Sequence, residues 1–484
     1  MNYRMVSYII GQIVRVEGIL MIPPLVVSVI YGESAFAAFL IPIVLSVAAG
    51  TLLTIKKPSN PDIFAKEGFV TVGLSWIIMS LIGALPFVID GCIPSFVDAF
   101  FETVSGFTTT GASILTEIES LGRGMLLWRS FTHFVGGMGV LVFVLAILPQ
   151  ADTRSVKLMH VMRAEVPGPK VGKLVSKIGR TARIMYGIYI GLTVIEMILL
   201  LAGGMPVYDS IVNSFATAGT GGFAIKNASI AAYDSAYIDY VIGIFMFLFG
   251  VNFNLYYLIL IGHVGEALRS EELRWYLIIT GVSTALIAAD IYEIFGTVGE
   301  SVRYAFFQVT SVMSTTGFAT SDYNAWPALS KVILALLMFC GACVGSTTGG
   351  IKVGRIILLV KSGLREVKYM LHPRAVVAVR SEGKPVERDV LRGANSYMIV
   401  YIMLFTASLF LVEMVEECDL VTGFTAVSAC LNNVGPGLGE VGPAGNFSAL
   451  TPFTKILLSV DMLAGRLEIF PLLMLFAPST WRGR

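Results

Sequence analysis

Four stretches of this chain place small hydroxylated residues and glycine at the end of a short apolar run. They are "FETVSGFTTTGASI" (101–114), "NSFATAGTGGFA" (213–224), "TSVMSTTGFAT" (310–320) and "SACLNNVGPGLG" (428–439). Residues of this kind suit one chemistry in particular. Extended backbone can present carbonyl oxygens that replace the hydration shell of a large, weakly hydrated cation. Glycine lets those carbonyls face one axis, because it takes φ > 0 without a steric penalty. Aligned on Gly111, Gly221, Gly317 and Gly435, the anchors lie 110, 96 and 118 residues apart, and the first and third windows share "AFF" at Ala99 and Ala305. The pattern predicts one device built four times: a short half-helix, then an extended strand. The half-helices would point their partly negative C-terminal ends at a common pore, favouring cations.

Composition says where such strands must be held. Of 484 residues, 55% are hydrophobic and only 14% charged, with mean hydropathy +0.78, whereas a soluble domain is about 25% charged. The apolar residues fall in blocks long enough to cross a bilayer. No cleavable signal peptide is expected, since "MNYRMVSYIIGQIVRVEGILMIPP" lacks a small-residue cleavage site. The five cysteines form no disulfide framework. The expected fold is an all-α polytopic membrane protein with ten spans near 5–30, 35–55, 67–90, 124–148, 182–203, 236–262, 274–296, 326–360, 392–414 and 453–478. Two leading helices (1–60) precede four helix–pore-loop–helix repeats around a central pore, at 61–150, 151–265, 266–372 and 373–484. Extended backbone at membrane depth survives only when buried in protein or lining a wet cavity, and four strands around an axis meet that condition.

Charge sets the orientation. The segment 150–184 carries eight Lys or Arg against two acids, and 352–392 carries ten against four. Both termini and these basic segments are therefore expected in the cytoplasm, with the threonine/glycine clusters opening outward.

Two further features lie at membrane depth. "MFCGACVGSTTGGIKVG" interrupts the span 326–360 with Gly341, Gly345, Ser346, Thr347, Thr348, Gly349 and Gly350. Each glycine costs a helix interior about 1 kcal/mol against alanine, so a broken helix beside a cavity is expected. Arg466 stands near the middle of the last expected span, with Glu468 two residues on. Because a central arginine costs roughly 2.5–3.5 kcal/mol on insertion scales, it should face water or a partner. His133 reads as a packing histidine, and Gly136, Gly137 and Gly139 as sites of close helix contact. Nucleotide-loop readings fail, because "GTGG" and "GPGLG" do not lie between strand and helix and Ile351 stands where a phosphate-loop lysine would be.

"WRSFTHFVGGMGVLVF" (128–143), "GSTTGGIKVGRI" (345–356) and "AGRLEIFPLL" (464–473), taken with the four clusters, resemble the Trk/Ktr/HKT superfamily of cation transporters over essentially the whole chain. The two extra leading spans are similar to its TrkH-type branch. That resemblance implies a potassium filter at Thr109-Thr110-Gly111, Gly219-Thr220-Gly221, Thr315-Thr316-Gly317 and Asn433-Val434-Gly435. Glycine at all four anchors implies potassium rather than sodium as the transported ion. The resemblance makes 341–350 an intramembrane gate and Arg466 a positive barrier beneath the filter. It also implies a homodimer in a bacterial inner membrane and a cytosolic TrkA-like ring that binds a nucleotide (ATP/ADP or NAD). No organic cofactor and no nucleic acid are implied.

A sodium- or proton-coupled symporter of the same superfamily is the competing reading. It predicts broken helices in symmetric pairs and midplane carboxylates, whereas the sequence shows one clear broken helix and no acid within the filters. An enzyme is not expected, for no HExxH, paired intramembrane aspartates or GxSxG is present.

Overall fold

The computed structural model describes residues 1–58, 60, 64–139, 178–374 and 377–481. Much of the first basic segment, 150–177, and the end of the expected span 124–148 lie outside the described residues. The described residues are mostly helical, with one two-stranded antiparallel hairpin, Arg380–Ser381 with Lys384–Pro385. Six described helices are long and apolar enough to cross a membrane, or seven if one sharply bent pair counts as a span.

The leading span runs as Tyr3–Leu20 and Ile22–Ile30, and packs along Phe36–Thr54. A third span, Lys66–Asp90, follows. The chain ends meet on one side: Tyr3 Oη donates to the Trp481 carbonyl at 3.1 Å and Lys66 Nζ to the Ser479 carbonyl at 2.9 Å.

Four half-helices end at the expected clusters: Phe96–Phe107, Val207–Gly219, Val298–Met313 and Leu420–Leu431. At 12, 13, 16 and 12 residues and about 1.5 Å of rise each, they are too short for a bilayer core about 30 Å thick. Side-chain caps start two of them, Ser95 accepting from the Asp98 amide and Thr297 from the Glu300 amide. Their last turns are buried. Each half-helix packs against helices before and after it, so that polar backbone at their tips is enclosed by protein rather than lipid.

The helices after the second and fourth clusters depart from the expected continuous spans, and the one after the third breaks where expected. Ala236–Phe249 and Phe253–Leu260 meet at 92°, which breaks the expected span 236–262. The expected break at 341–350 is present between Ala328–Cys340 and Val353–Leu371. The expected span 453–478 divides into Pro452–Arg466 and Phe470–Phe476, because Glu468 and Ile469 adopt φ of 53° and 68°. Hydropathy averaged over a span does not mark the breaks near 250 and 467; at the first, hydrogen bonds from a distant segment decide.

Candidate functional site: a ring of four extended segments

Each half-helix ends in the same way. Thr109, Thr220, Thr315 and Asn433 adopt φ of 56°, 55°, 56° and 55°, a left-handed conformation that is uncommon for β-branched residues. Their amides return to the carbonyls of Gly106, Thr217, Val312 and Cys430, at 3.1, 2.9, 3.0 and 3.2 Å. The next amides, of Thr110, Gly221, Thr316 and Val434, reach back five residues to Ser105, Ala216, Ser311 and Ala429, at 2.9, 3.0, 2.8 and 2.8 Å. These are helix-closing motifs of the Schellman type. The first two amides of each turn are thus spent on their own helix.

The common geometry corrects one alignment. The residue matching Thr109, Thr315 and Asn433 is Thr220, so the second segment is Thr220-Gly221-Gly222. Gly219, expected in the filter, is instead the last residue of its half-helix. The third positions are Gly111, Gly222, Gly317 and Gly435, with φ of 83°, 72°, 86° and 97°. All four remain glycine after the correction.

The segments close into a ring. A β-carbon on Gly111 would lie 2.0 Å from the Gly221 carbonyl oxygen, and one on Gly222 would lie 1.9 Å from that of Thr316. From Gly317 the distance to the Val434 oxygen would be 2.4 Å, and from Gly435 to the Thr110 oxygen 2.6 Å. First faces second, second third, third fourth, and fourth first again. No hydrogen bond among the described residues ends on the carbonyls of Thr110, Gly221, Thr316 or Val434, and all four residues are buried. Buried carbonyls are ordinarily paired, and four unpaired ones in one ring are able to coordinate a cation.

Side chains brace this ring from behind. His133 Nδ1 donates to the Gly106 carbonyl at 2.8 Å, and its Nε2 accepts from the Phe223 amide at 3.2 Å, fixing a neutral tautomer. It is the packing histidine that was expected. Gly136 and Gly137 make the expected close contacts: a β-carbon on Gly136 would fall 1.9 Å from the Phe107 carbonyl, and one on Gly137 2.7 Å from Gly219 Cα. Asn433 Nδ2 donates to Thr110 Oγ1 and to the Met462 carbonyl, both at 2.9 Å.

The segment 341–352 sits against the base of the ring. The Gly349 amide donates to Thr315 Oγ1 at 2.8 Å, and a β-carbon there would meet the Asn432 carbonyl at 2.3 Å. Gly341, Gly345 and Gly350 take φ of 65°, 76° and 75°. Ser346 and Thr348 hydroxyls pair at 2.8 Å, while the Lys352 ammonium donates to the Thr348 carbonyl and hydroxyl. The same segment explains the 92° bend: the Cys343 amide donates to the Gly250 carbonyl at 3.0 Å and the Phe253 amide to that of Gly345 at 3.1 Å. Helix and loop are broken where they hydrogen-bond to each other.

Arg466 is bonded to the expected gate segment, but from a helix end rather than mid-span. Its Nη1 donates to the Thr347 carbonyl at 2.6 Å, and its Nη2 to those of Gly136 and Gly137 at 2.5 and 2.7 Å. The latter two close the helix Arg123–Gly137, where a cation is favoured. Glu468 is occupied elsewhere, in an ion pair with Arg355 at 2.5 Å.

Sequence reasoning missed one buried charge pair near the ring, Glu102 with Arg129 at 2.9 Å. An acid and a base inside otherwise apolar segments were its only signal.

A sequence model of the TrkH family, described as "Cation transport protein", matches residues 35–482. The chain belongs to the TrkH family. It is 36% identical over 491 residues to the Trk system potassium uptake protein TrkH of Salmonella typhimurium, covering all of both chains. Against the Trk system potassium uptake protein TrkG of Escherichia coli it is 35% identical over 492 residues, covering all of this chain and 99% of the relative. The crystal structure of the potassium transporter TrkH from Vibrio parahaemolyticus superposes with a TM-score of 0.89 at 31% identity, over the full length of both. This member of the family is thus a multi-pass membrane protein for cation transport, and its chemistry is passage of an ion rather than catalysis.

Proposed function

We propose that this TrkH-family chain carries potassium inward across a bacterial inner membrane through a channel-like pore. Its filter is Thr109-Thr110-Gly111, Thr220-Gly221-Gly222, Thr315-Thr316-Gly317 and Asn433-Val434-Gly435. The observation that carries this reading is the closed ring of buried, unbonded carbonyls. Left-handed non-glycine residues cost of order 1–3 kcal/mol each, and four matched ones are a strain that close packing alone does not require. The relatives named as potassium uptake proteins support potassium as the ion.

The segment 341–350 and Arg466 form the gate in this reading. Each unit of the pore is one helix, one half-helix with its segment, and one returning helix, with domain limits near 61–150, 151–265, 266–372 and 373–484. The chain works as a homodimer with a TrkA-like cytosolic ring that responds to a nucleotide. The ring docks on the basic segments 150–184 and 352–392. The second segment includes the helix Val353–Leu371 and the hairpin, which Lys361 ties together by donating to the Arg380 carbonyl at 2.8 Å.

The deciding experiment is radiolabelled rubidium uptake into proteoliposomes with competing potassium and sodium. Uptake suppressed by potassium at far lower concentration than by sodium supports the reading; equal suppression sinks it.

A coupled symporter is favoured by two observations. More of the returning helices are broken than the sequence suggests, and Glu196 and Asp461 are buried carboxyls without a cationic partner among the described residues. Rubidium uptake that requires an imposed sodium or proton gradient, and stops without it, would select that alternative.

A further inference from the structure

Glu102 lies on the first half-helix and Arg129 on the helix Arg123–Gly137 that follows it. Their side chains are 0% and 1% exposed. The carboxylate accepts from three donors: Arg129 Nε at 2.9 Å, the Ile114 amide at 3.0 Å, and the Ser113 hydroxyl, which lies 3.0 and 3.1 Å from its two oxygens. The guanidinium continues across the ring. Its Nη1 donates to the Ala224 carbonyl at 3.2 Å and its Nη2 to Ser113 Oγ at 3.3 Å, while its carbon sits 4.2 Å from the Phe223 ring centroid. Residues 113–114 leave the first segment and 223–224 leave the second. One ion pair therefore clamps two neighbouring strands of the ring just beyond their glycines.

The four units differ here, and the difference is informative. Glu102 stands seven residues before Thr109, as Gln308 stands before Thr315 (315 − 308 = 7), Asn213 before Thr220 and Ala426 before Asn433. Gln308 Oε1 accepts from the Thr320 amide at 3.3 Å, five residues after Thr315. Glu102 makes the matching bond to Ile114, five residues after Thr109. An uncharged amide thus suffices to hold one strand to its own half-helix. The carboxylate adds Ser113 and the arginine, and the arginine reaches the neighbouring strand.

Charge is not needed for stability at such a place, because a buried ion pair is often no better than apolar residues of the same shape. What it supplies is directional bonding at a fixed span. We infer that Glu102 and Arg129 are positioning residues for ion selectivity: they fix the separation of the first two strands, and so the size of the carbonyl ring. This rests on the potassium reading proposed above. The pair is neutral as a whole and hydrogen-bonded on all sides, so it acts through geometry and not by adding charge to the ion path.

The test uses the full chain in proteoliposomes, with rubidium uptake read against competing sodium and potassium. Three variants are compared: Glu102→Gln, which keeps the bond to Ile114 as Gln308 does; Arg129→Lys, which keeps the charge but loses the fork; and Glu102→Leu with Arg129→Met, which removes both charges together. The expected result is maximal uptake near the wild-type level, with sodium inhibiting at about tenfold lower concentration in each, equivalent to about 1.4 kcal/mol. A merely structural pair would lower the yield of folded protein and leave the sodium-to-potassium ratio unmoved. Wild-type selectivity in any variant that gives monodisperse protein overturns the inference, as does failure of all three to fold, which would make the pair a folding element. If the wild type itself does not discriminate, the potassium reading falls first and this inference with it.

Discussion

Replacing Arg466 with alanine removes a charge and a tether at once, and the structure allows each to be sized. The tether is three charge-assisted bonds, at 2.6 Å to Thr347 and at 2.5 and 2.7 Å to Gly136 and Gly137. Hydrogen bonds to charged groups contribute about 1.5–3 kcal/mol each, and only the Thr347 bond holds the loop itself. The charge acts on the ion. A potassium ion passing within about 4 Å of the guanidinium meets about 4 kcal/mol of repulsion at an effective dielectric of 20. With each 1.36 kcal/mol worth tenfold in rate, that is a slowing of several hundred-fold. Arg466→Ala should therefore raise rubidium uptake by the chain without its ring partner by roughly several hundred-fold, while the potassium-over-sodium preference is largely kept. Arg466→Lys separates the two effects: the ammonium keeps the charge and loses the forked geometry. Low uptake in the lysine variant assigns the barrier to charge, and high uptake assigns it to the tether. Shortening 341–350 by a few residues should raise partner-free uptake in the same assay. Wild-type uptake from both Arg466→Ala and the shortened loop would refute the gate as described.

The remaining expectations concern the ring and its docking. Gly111→Ser must displace the Gly221 carbonyl, which would lie 2.0 Å from the new β-carbon, so sodium discrimination should fall; an unchanged permeability ratio would remove Gly111 from the filter. Gly222→Ser should do the same through Thr316, and wild-type selectivity there would return the second segment to the alignment on Gly221. Thr315→Val removes the acceptor for the Gly349 amide at little change in shape; a net bond of about 0.5–1.5 kcal/mol predicts a rise of several-fold in partner-free uptake, and no rise would leave that bond without a role in closure. Neutralising several Lys and Arg of 352–392 should weaken capture of a TrkA-like ring in a pull-down, and undiminished capture would leave them as topological signals only.

Much of this molecule is written in local chemistry. The hydrophobic blocks determine that the chain lives in a bilayer, because exposed backbone and charge are excluded there. The four clusters announce themselves because a helix that must stop at membrane depth needs particular residues at its end. The glycines at 341–350 mark a broken helix for the same reason. None of these readings requires knowing what lies opposite. Other features depend on partners far away in sequence. "AGTGG" offers three glycines, and propensity cannot say which register is used; the fold decides, with Thr220 left-handed at φ 55° and Gly222 at φ 72°, matching the other three segments. The apolar stretch around Gly250 bends only because the loop from Cys343 to Gly345 hydrogen-bonds into it. Arg466 looks like a mid-span charge until Glu468 and Ile469 turn left-handed and place it at a helix end. Glu102 and Arg129, 27 residues apart, become a pair only when two helices lay their buried faces together. Local sequence determined where the chain stops being helical; only the tertiary structure decided which carbonyls face one another, since that is set by contacts between segments about a hundred residues apart.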